Sequence, residues 1–176
     1  RRDGLDGDGV VRHVECEGGT IVEAGHIVLA VPPAVAHRLV PHAEATALHV
    51  WKEQAVEITA ACLDVALRRL PKPNQQFIYG IDQTVFLSHQ SRAAYLSEDG
   101  SQVVTVIKYQ GADKNPEQDL QDLERTLDLV QPGWREELVA KQYLPRIAVC
   151  HDFMHLRRQQ NPGPAVPEIL GLYVAG

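Results

Sequence analysis

The stretch HIVLAVPPAVAHRLVP, residues 26–41, reads as a strand, a double proline and a helix. From Ile27 to Val31 apolar residues occupy both alternating positions, the pattern of a strand covered on both faces. Pro32 and Pro33 end it, because proline has no ladder N–H and pushes its predecessor away from the helical region. A short helix is expected over about 34–39. Such a strand belongs inside a sheet, so its partners must come from elsewhere in the chain. A second candidate is EILGLYVAG, residues 168–176. Leu170, Leu172, Tyr173 and Val174 form an apolar run delivered into a glycine, an ending that ordinarily leads on into a loop or helix. With Arg1 and Arg2 rather than Met at the start, the chain reads as an internal segment of a longer protein.

The 176 residues are 44% hydrophobic. A chain of this size buries roughly two thirds of its unfolded surface, enough for a core. Its 17 basic and 23 acidic residues give a net charge of −6, which argues against a nucleic-acid footprint built of clustered Lys and Arg. Cys16, Cys62 and Cys150 are too far apart for a zinc knuckle and odd in number, so free thiols and a reducing, cytoplasmic setting are expected. The longest apolar stretch, IVLAVPPAVA, is broken by two prolines and falls well short of the ~20 residues that span a bilayer.

Between these ends, residues 10–31 read as a small β-meander with turns at Gly18-Gly19 and Ala24-Gly25. A second helix is expected over 42–54 and a long strand over 56–67. FIYGI, TVFLSH, AAYLS and QVVTVIKY read as four β-runs of a mostly antiparallel sheet. In NPEQDLQDLERTLDLVQPG, Leu120, Leu123, Leu127 and Val130 repeat at helical spacing behind an Asn115 cap and Pro116. A further helical turn over 134–138 and strands over 139–143 and 147–153 complete the pattern. The expected fold class is α+β: a mostly antiparallel or mixed sheet with helices packed on it and strand stubs at both ends.

The two end pieces belong together. HIVLAVPPAVAHRLVP resembles the strand-Pro-Pro-helix passage that leaves the nucleotide-binding domain in flavin-containing amine oxidases and phytoene-desaturase-like oxidoreductases, and GLYVAG is similar to the strand by which those families return to it. VALRRLPKP, VIKYQG and LVQPGWREE also resemble passages in bacterial members. The resemblance implies strand remnants of an FAD-binding domain at 1–33 and 151–176, a substrate-binding domain at 34–150, and hydride transfer from substrate to flavin. It implies cofactor contacts at Val31, Pro32, Pro33, Ala175 and Gly176. The G-x-G-x-x-G fingerprint is missing, since Gly4, Gly7 and Gly9 have the wrong spacing and precede a meander. FAD is therefore expected in the parent protein and not on this chain alone.

The same resemblance points to Lys108 as a lysine reaching through a water toward the flavin, where a cation supports hydride transfer electrostatically; the plainer reading is a strand lysine in solvent. Tyr79, Phe86, Tyr95 and Tyr109 lie in the sheet region and could line an apolar pocket, although a strand aromatic more often packs. His151, near a domain boundary, suits the substrate cleft. HDFMH spaces His151 and His155 four apart, as in zinc helices, but Asp152 replaces the Glu of that motif and the preceding run reads as strand, so no metal is assigned. The substrate is expected to be a small apolar or amine molecule, with self-association through exposed strand edges. The alternative from another class is a non-enzymatic α+β module that binds a ligand or protein.

Overall fold

A computed structural model describes residues 3–5, 9–111, 114–158 and 161–175. The elements run β1 (Asp3–Leu5), β2 (Val11–Glu15), β3 (Ile21–Glu23), β4 (Ile27–Leu29), α1 (Pro33–Leu39), α2 (Ala47–Gln54), β5 (Ile58–Leu67), β6 (Phe77–Tyr79), β7 (Val85–His89), β8 (Gln102–Tyr109), α3 (Pro116–Val130), β9 (Leu138–Cys150) and β10 (Leu172–Val174). The class is α+β, with mostly antiparallel sheets, as the sequence pattern indicates. Two compact units form: residues 1–57 with 150–176, and residues 58–149. The division at 57/58 lies further along the chain than the 33/34 expected from the sequence, because α1 and α2 pack into the core of the terminal strands.

In the terminal unit, β1, β2 and β3 form an antiparallel meander. The third run of the expected meander does not join it. Instead β4 pairs in parallel with β10 from the other end of the chain, with Leu172, Tyr173 and Val174 opposite Ile27, Val28 and Leu29. Ile27 and Leu29 are buried but Val28 is 62% exposed, so β4 is covered on one face among the described residues rather than on both. The core joins Val11, Ile27, Leu29, Ala36, Val40, Leu48, Val166, Ile169 and Leu172. Gly171 makes the return possible. It has φ +85°, and a Cβ there would sit 2.5 Å from the Gly25 carbonyl oxygen. Gly171→Ala combines left-handed strain with a backbone clash. It should cost about 2 kcal/mol or more, read as a lower urea midpoint at unchanged slope.

The helix expected over 42–54 is split. His42 adopts a left-handed φ of 56°, a 3₁₀ turn covers Ala43–Ala45, and Thr46 then caps α2 by accepting from the Leu48 amide.

In the second unit, the sheet order is β6-β7-β8-β5-β9, and β6 with β7, β7 with β8 and β8 with β5 pair antiparallel. Helix α3 opens where the sequence places it: the Asn115 side chain accepts from the amides of Glu117 and Gln118. Leu123, Leu127 and Val130 pack with Trp134 onto Ala61, Leu63, Val65, Leu87, Val104 and Val106. Asn115→Ala removes a cap worth about 1 kcal/mol, an effect that a thermal melt of the chain should resolve.

Two expectations for this unit are corrected. AAYLS is no strand: a 3₁₀ turn at Gln90–Arg92 follows β7, and Ser91 Oγ then accepts from the Val103 amide to seat the returning strand. Residues 134–137 are turns leading into β9, and the two strands expected after them are one. Pro145 does not interrupt β9 because β9 is an edge strand, where a missing N–H is tolerated.

Candidate functional site

Strand register sorts the side chains of the second unit onto two faces. Directly opposed residues form rows: Tyr79, Phe86, Ile107 and Cys62 in one, Phe77, Ser88, Thr105 and Asp64 in the next, with Tyr109 opposite Ala60 beyond the first and Val103 opposite Ala66 beyond the second. These residues share the face opposite α3. The alternate set, which includes Val85, Leu87, Val104, Val106 and Lys108, faces the helix.

On the face opposite α3, Phe77, Tyr79 and Phe86 make a compact aromatic cluster with ring centroids 5.0–5.2 Å apart, within the range that ring quadrupoles favour. Tyr79 is 68% exposed. A shallow pocket of about 430 Å³ adjoins it, lined by Tyr79, Gly80, Ile81, Thr84 and Tyr109 among others. Further along the sheet, the Asp64 carboxylate accepts from the Thr105 hydroxyl at 2.6 Å and lies 3.8 Å from the Cys62 sulfur. Burial and the Asp64 charge push the Cys62 thiol up to about 11, so it is protonated and unreactive at neutral pH.

Of the aromatics expected to line a pocket, Tyr79, Phe86 and Tyr109 come together on this face. Tyr95 does not: it sits 89% exposed in the loop after the 3₁₀ turn.

Lys108 lies on the other side of the sheet. Its Nζ contacts Asp119 at 2.7 Å and Asp122 at 2.6 Å, both on α3. Burial opposes its charge and the two carboxylates outweigh that, so its pKa is raised. The hydrogen bond from Lys108 lowers that of Asp122. The lysine and the aromatic cluster thus occupy opposite faces, a separation that follows from the period-2 alternation of Ile107, Lys108 and Tyr109.

In the terminal unit, a pocket of about 340 Å³ lies beyond the carboxyl ends of β4 and β10, lined by Pro33, Trp51, Asp152, Pro162, Pro164 and Val174 among others. Ligands of parallel sheets bind at that end of the strands. Pro32 precedes α1, Val31 is half-buried and Ala175 exposed, with its amide donating to the Leu29 carbonyl oxygen. Gly176 lies outside the described residues. Asp152 forms a two-pronged ion pair with the buried Arg158. Sequence reasoning passed over this pair, although RR beside HDFMH was a visible signal. His151 pairs with Glu57 at 3.4 Å, and His155 Nε2 lies 3.1 Å from the Gln54 carbonyl oxygen. Among the described residues, no group of three or more His, Cys, Asp or Glu could hold a metal.

The described residues contain no glycine-rich turn running into a helix N-terminus, the cradle a pyrophosphate requires. They do not by themselves build a whole FAD site.

No protein family profile and no curated protein matches the chain. Solved structures do. Reduced UDP-galactopyranose mutase superposes with a TM-score of 0.62 over 84% of this chain at 14% identity, and an oxidoreductase from Methanosarcina mazei with a TM-score of 0.59 over 99% at 16% identity. The chain shares the fold of the matched portions of those two proteins. The chain spans 34% and 42% of the lengths of those two proteins. No helix among the described residues is long and apolar enough to cross a membrane.

Proposed function

We propose that this chain is the substrate-binding portion of an FAD-dependent oxidoreductase of the amine oxidase or desaturase type. In this reading the terminal unit contributes strands to the FAD-binding domain, and residues 58–149 form the substrate-binding domain. The observation that carries it is the parallel pairing of β4 with β10. Strands from opposite ends of the chain share one sheet, which supports reading the unit between them as an excursion that leaves that sheet and returns to it.

FAD, held mainly by the rest of the parent, supplies hydride acceptance. This chain's own residues do the remaining work. Tyr79, Phe86 and Ile107 offer apolar contact to a small substrate, the sheet face opposite α3 excludes water from it, and Ser88, Thr105 and Asp64 orient its polar groups. Lys108 contributes by holding α3 on the back of the sheet. The exposed aromatic cluster also suits a non-enzymatic module that binds a ligand or protein. Self-association through the exposed edges of the terminal strands belongs to the same proposal, and light scattering across a concentration series tests it: a sharp, invariant monomer counts against it.

The deciding experiment is the visible spectrum of the protein expressed from the intact parent reading frame. A flavin spectrum with FAD released on denaturation is expected. A colourless parent that takes up no added FAD would overturn the oxidoreductase reading and leave the binding module.

A further inference from the structure

Resting on the proposal that the face of the 58–149 sheet opposite α3 is a substrate wall, we propose that Asp64 is its specificity-determining residue. It selects an elongated apolar ligand whose head donates a hydrogen bond, a hydroxyl or a protonated amine, and rejects ligands with an acidic head.

Register supplies the geometry. The row Tyr79, Phe86, Ile107, Cys62 is an apolar stripe running across four strands, and Phe77, Ser88, Thr105, Asp64 lies beside it as a stripe that turns polar away from the β6 edge. With strands ~4.8 Å apart, three spacings separate the aromatic end from Asp64, roughly 14 Å. An extended chain of about ten methylenes has that length, so a ligand lying along the stripe with its body on the aromatics brings its head to the carboxylate.

Charge supplies the selection. Across β6, β7, β8 and β5 these rows contain no Lys, Arg or His, and Asp64 is their one carboxylate; β9, the strand beyond β5, carries Arg146 and Lys141, the latter paired with Glu124. The strand cation nearest in sequence, Lys108, is turned to the other face and held by Asp119 and Asp122. Asp64 accepts one strong hydrogen bond, from Thr105 at 2.6 Å, and a weak thiol contact from Cys62. An ionised carboxylate has about four acceptor sites, which leaves room for another donor. An ammonium or hydroxyl head gains a charge-assisted hydrogen bond there. A carboxylate or phosphate head meets the Asp64 charge with no cation in those rows to offset it, which is selection by repulsion.

The test uses the 176-residue chain, isotopically labelled at pH 7.5, with 1-decanol, decylamine and decanoate below their micelle-forming concentrations. Decanol and decylamine should shift the amide resonances of 77–79, 85–88 and 103–109 and bind at least tenfold more tightly than decanoate. Asp64→Asn should bring the three within threefold of one another. Phe86→Ala should weaken all three alike, and Thr105→Val, which keeps the carboxylate, should preserve the order. Decanoate binding the wild-type chain as tightly as decylamine, shifts mapping elsewhere, no binding by any probe, or selectivity surviving Asp64→Asn would each overturn the proposal. FAD uptake by the intact parent is read separately. Non-selective binding with a flavin-loaded parent sinks the role of Asp64 alone, whereas selective binding with a colourless parent sinks only the oxidoreductase reading.

Discussion

Replacing Lys108 with methionine is expected to lower the melting temperature of the 58–149 unit by roughly 15 °C, about 3 kcal/mol for a unit of this size. The side chain is 23% exposed, and it neutralises Asp119, which is buried, and Asp122, which is mostly so. Methionine fills a similar volume but leaves two carboxylates against the sheet without their cation, and removing one partner of a buried pair costs far more than the intact pair contributes. The remaining bonds, from Gln110 to Asp119 and from Gln118 and Arg125 to Asp122, soften the loss without replacing the charge. Double replacement of Asp119 and Asp122 by Asn in the Lys108→Met background should recover part of the stability.

The same cluster sets a pH window. The Asp122 pKa is depressed in the folded chain, so its contribution is present above the ordinary carboxylate range and fades as pH falls through the folded value. The Lys108 pKa is raised, so its contribution is complete below the ordinary lysine value and fades as pH rises through the folded one. The difference in stability between wild type and Lys108→Met should therefore be flat from about pH 5 to 10 and shrink on both sides. A Lys108→Met chain that melts like wild type would show that the lysine is no clamp, and would return it to consideration as the flavin-facing cation suggested by VIKYQG.

Arg158→Met should have a comparable effect on the terminal unit, about 3 kcal/mol. The guanidinium is buried, makes a two-pronged ion pair with Asp152 and donates to the Gln54 carbonyl oxygen. With the Phe153 amide bonded to the Val56 carbonyl oxygen and the Arg158 amide to that of His155, this fixes the path of 152–158 beside the pocket at the ends of β4 and β10. Because the Arg158 hydrogen bond depresses the Asp152 pKa, the wild-type advantage should persist above the usual carboxylate range and disappear as pH falls through the folded value. Hydrogen exchange is the direct readout: protection at the Phe153 and Arg158 amides should fall in the variant while α3 remains protected.

Much of the fold was legible because its signals are local. The Asn115 cap, Pro116 and the leucine spacing of α3 lie within one helix, and the alternation in β5 and β8 within single strands. The α+β class and the strand-Pro-Pro-helix passage follow from such periods and breaks. What failed turned on non-local partners. AAYLS has strand composition, yet the backbone turns after His89 and no neighbour receives it. The third run of the expected meander was claimed by β10, far away in sequence, and Pro145 was tolerated because β9 lies at an edge.

The candidate site divides the same way. Composition alone placed Tyr79, Phe86, Lys108 and Tyr109 in the sheet region, because aromatic and β-branched runs are readable residue by residue. Only pairing register could put Lys108 on the helix side and the aromatics on the other, since shifting a strand by one residue exchanges its faces. The Asp64–Thr105 and Asp152–Arg158 pairs were likewise decided in three dimensions: ion pairs and hydrogen bonds between separated residues depend on distances that folding creates and that no local pattern encodes.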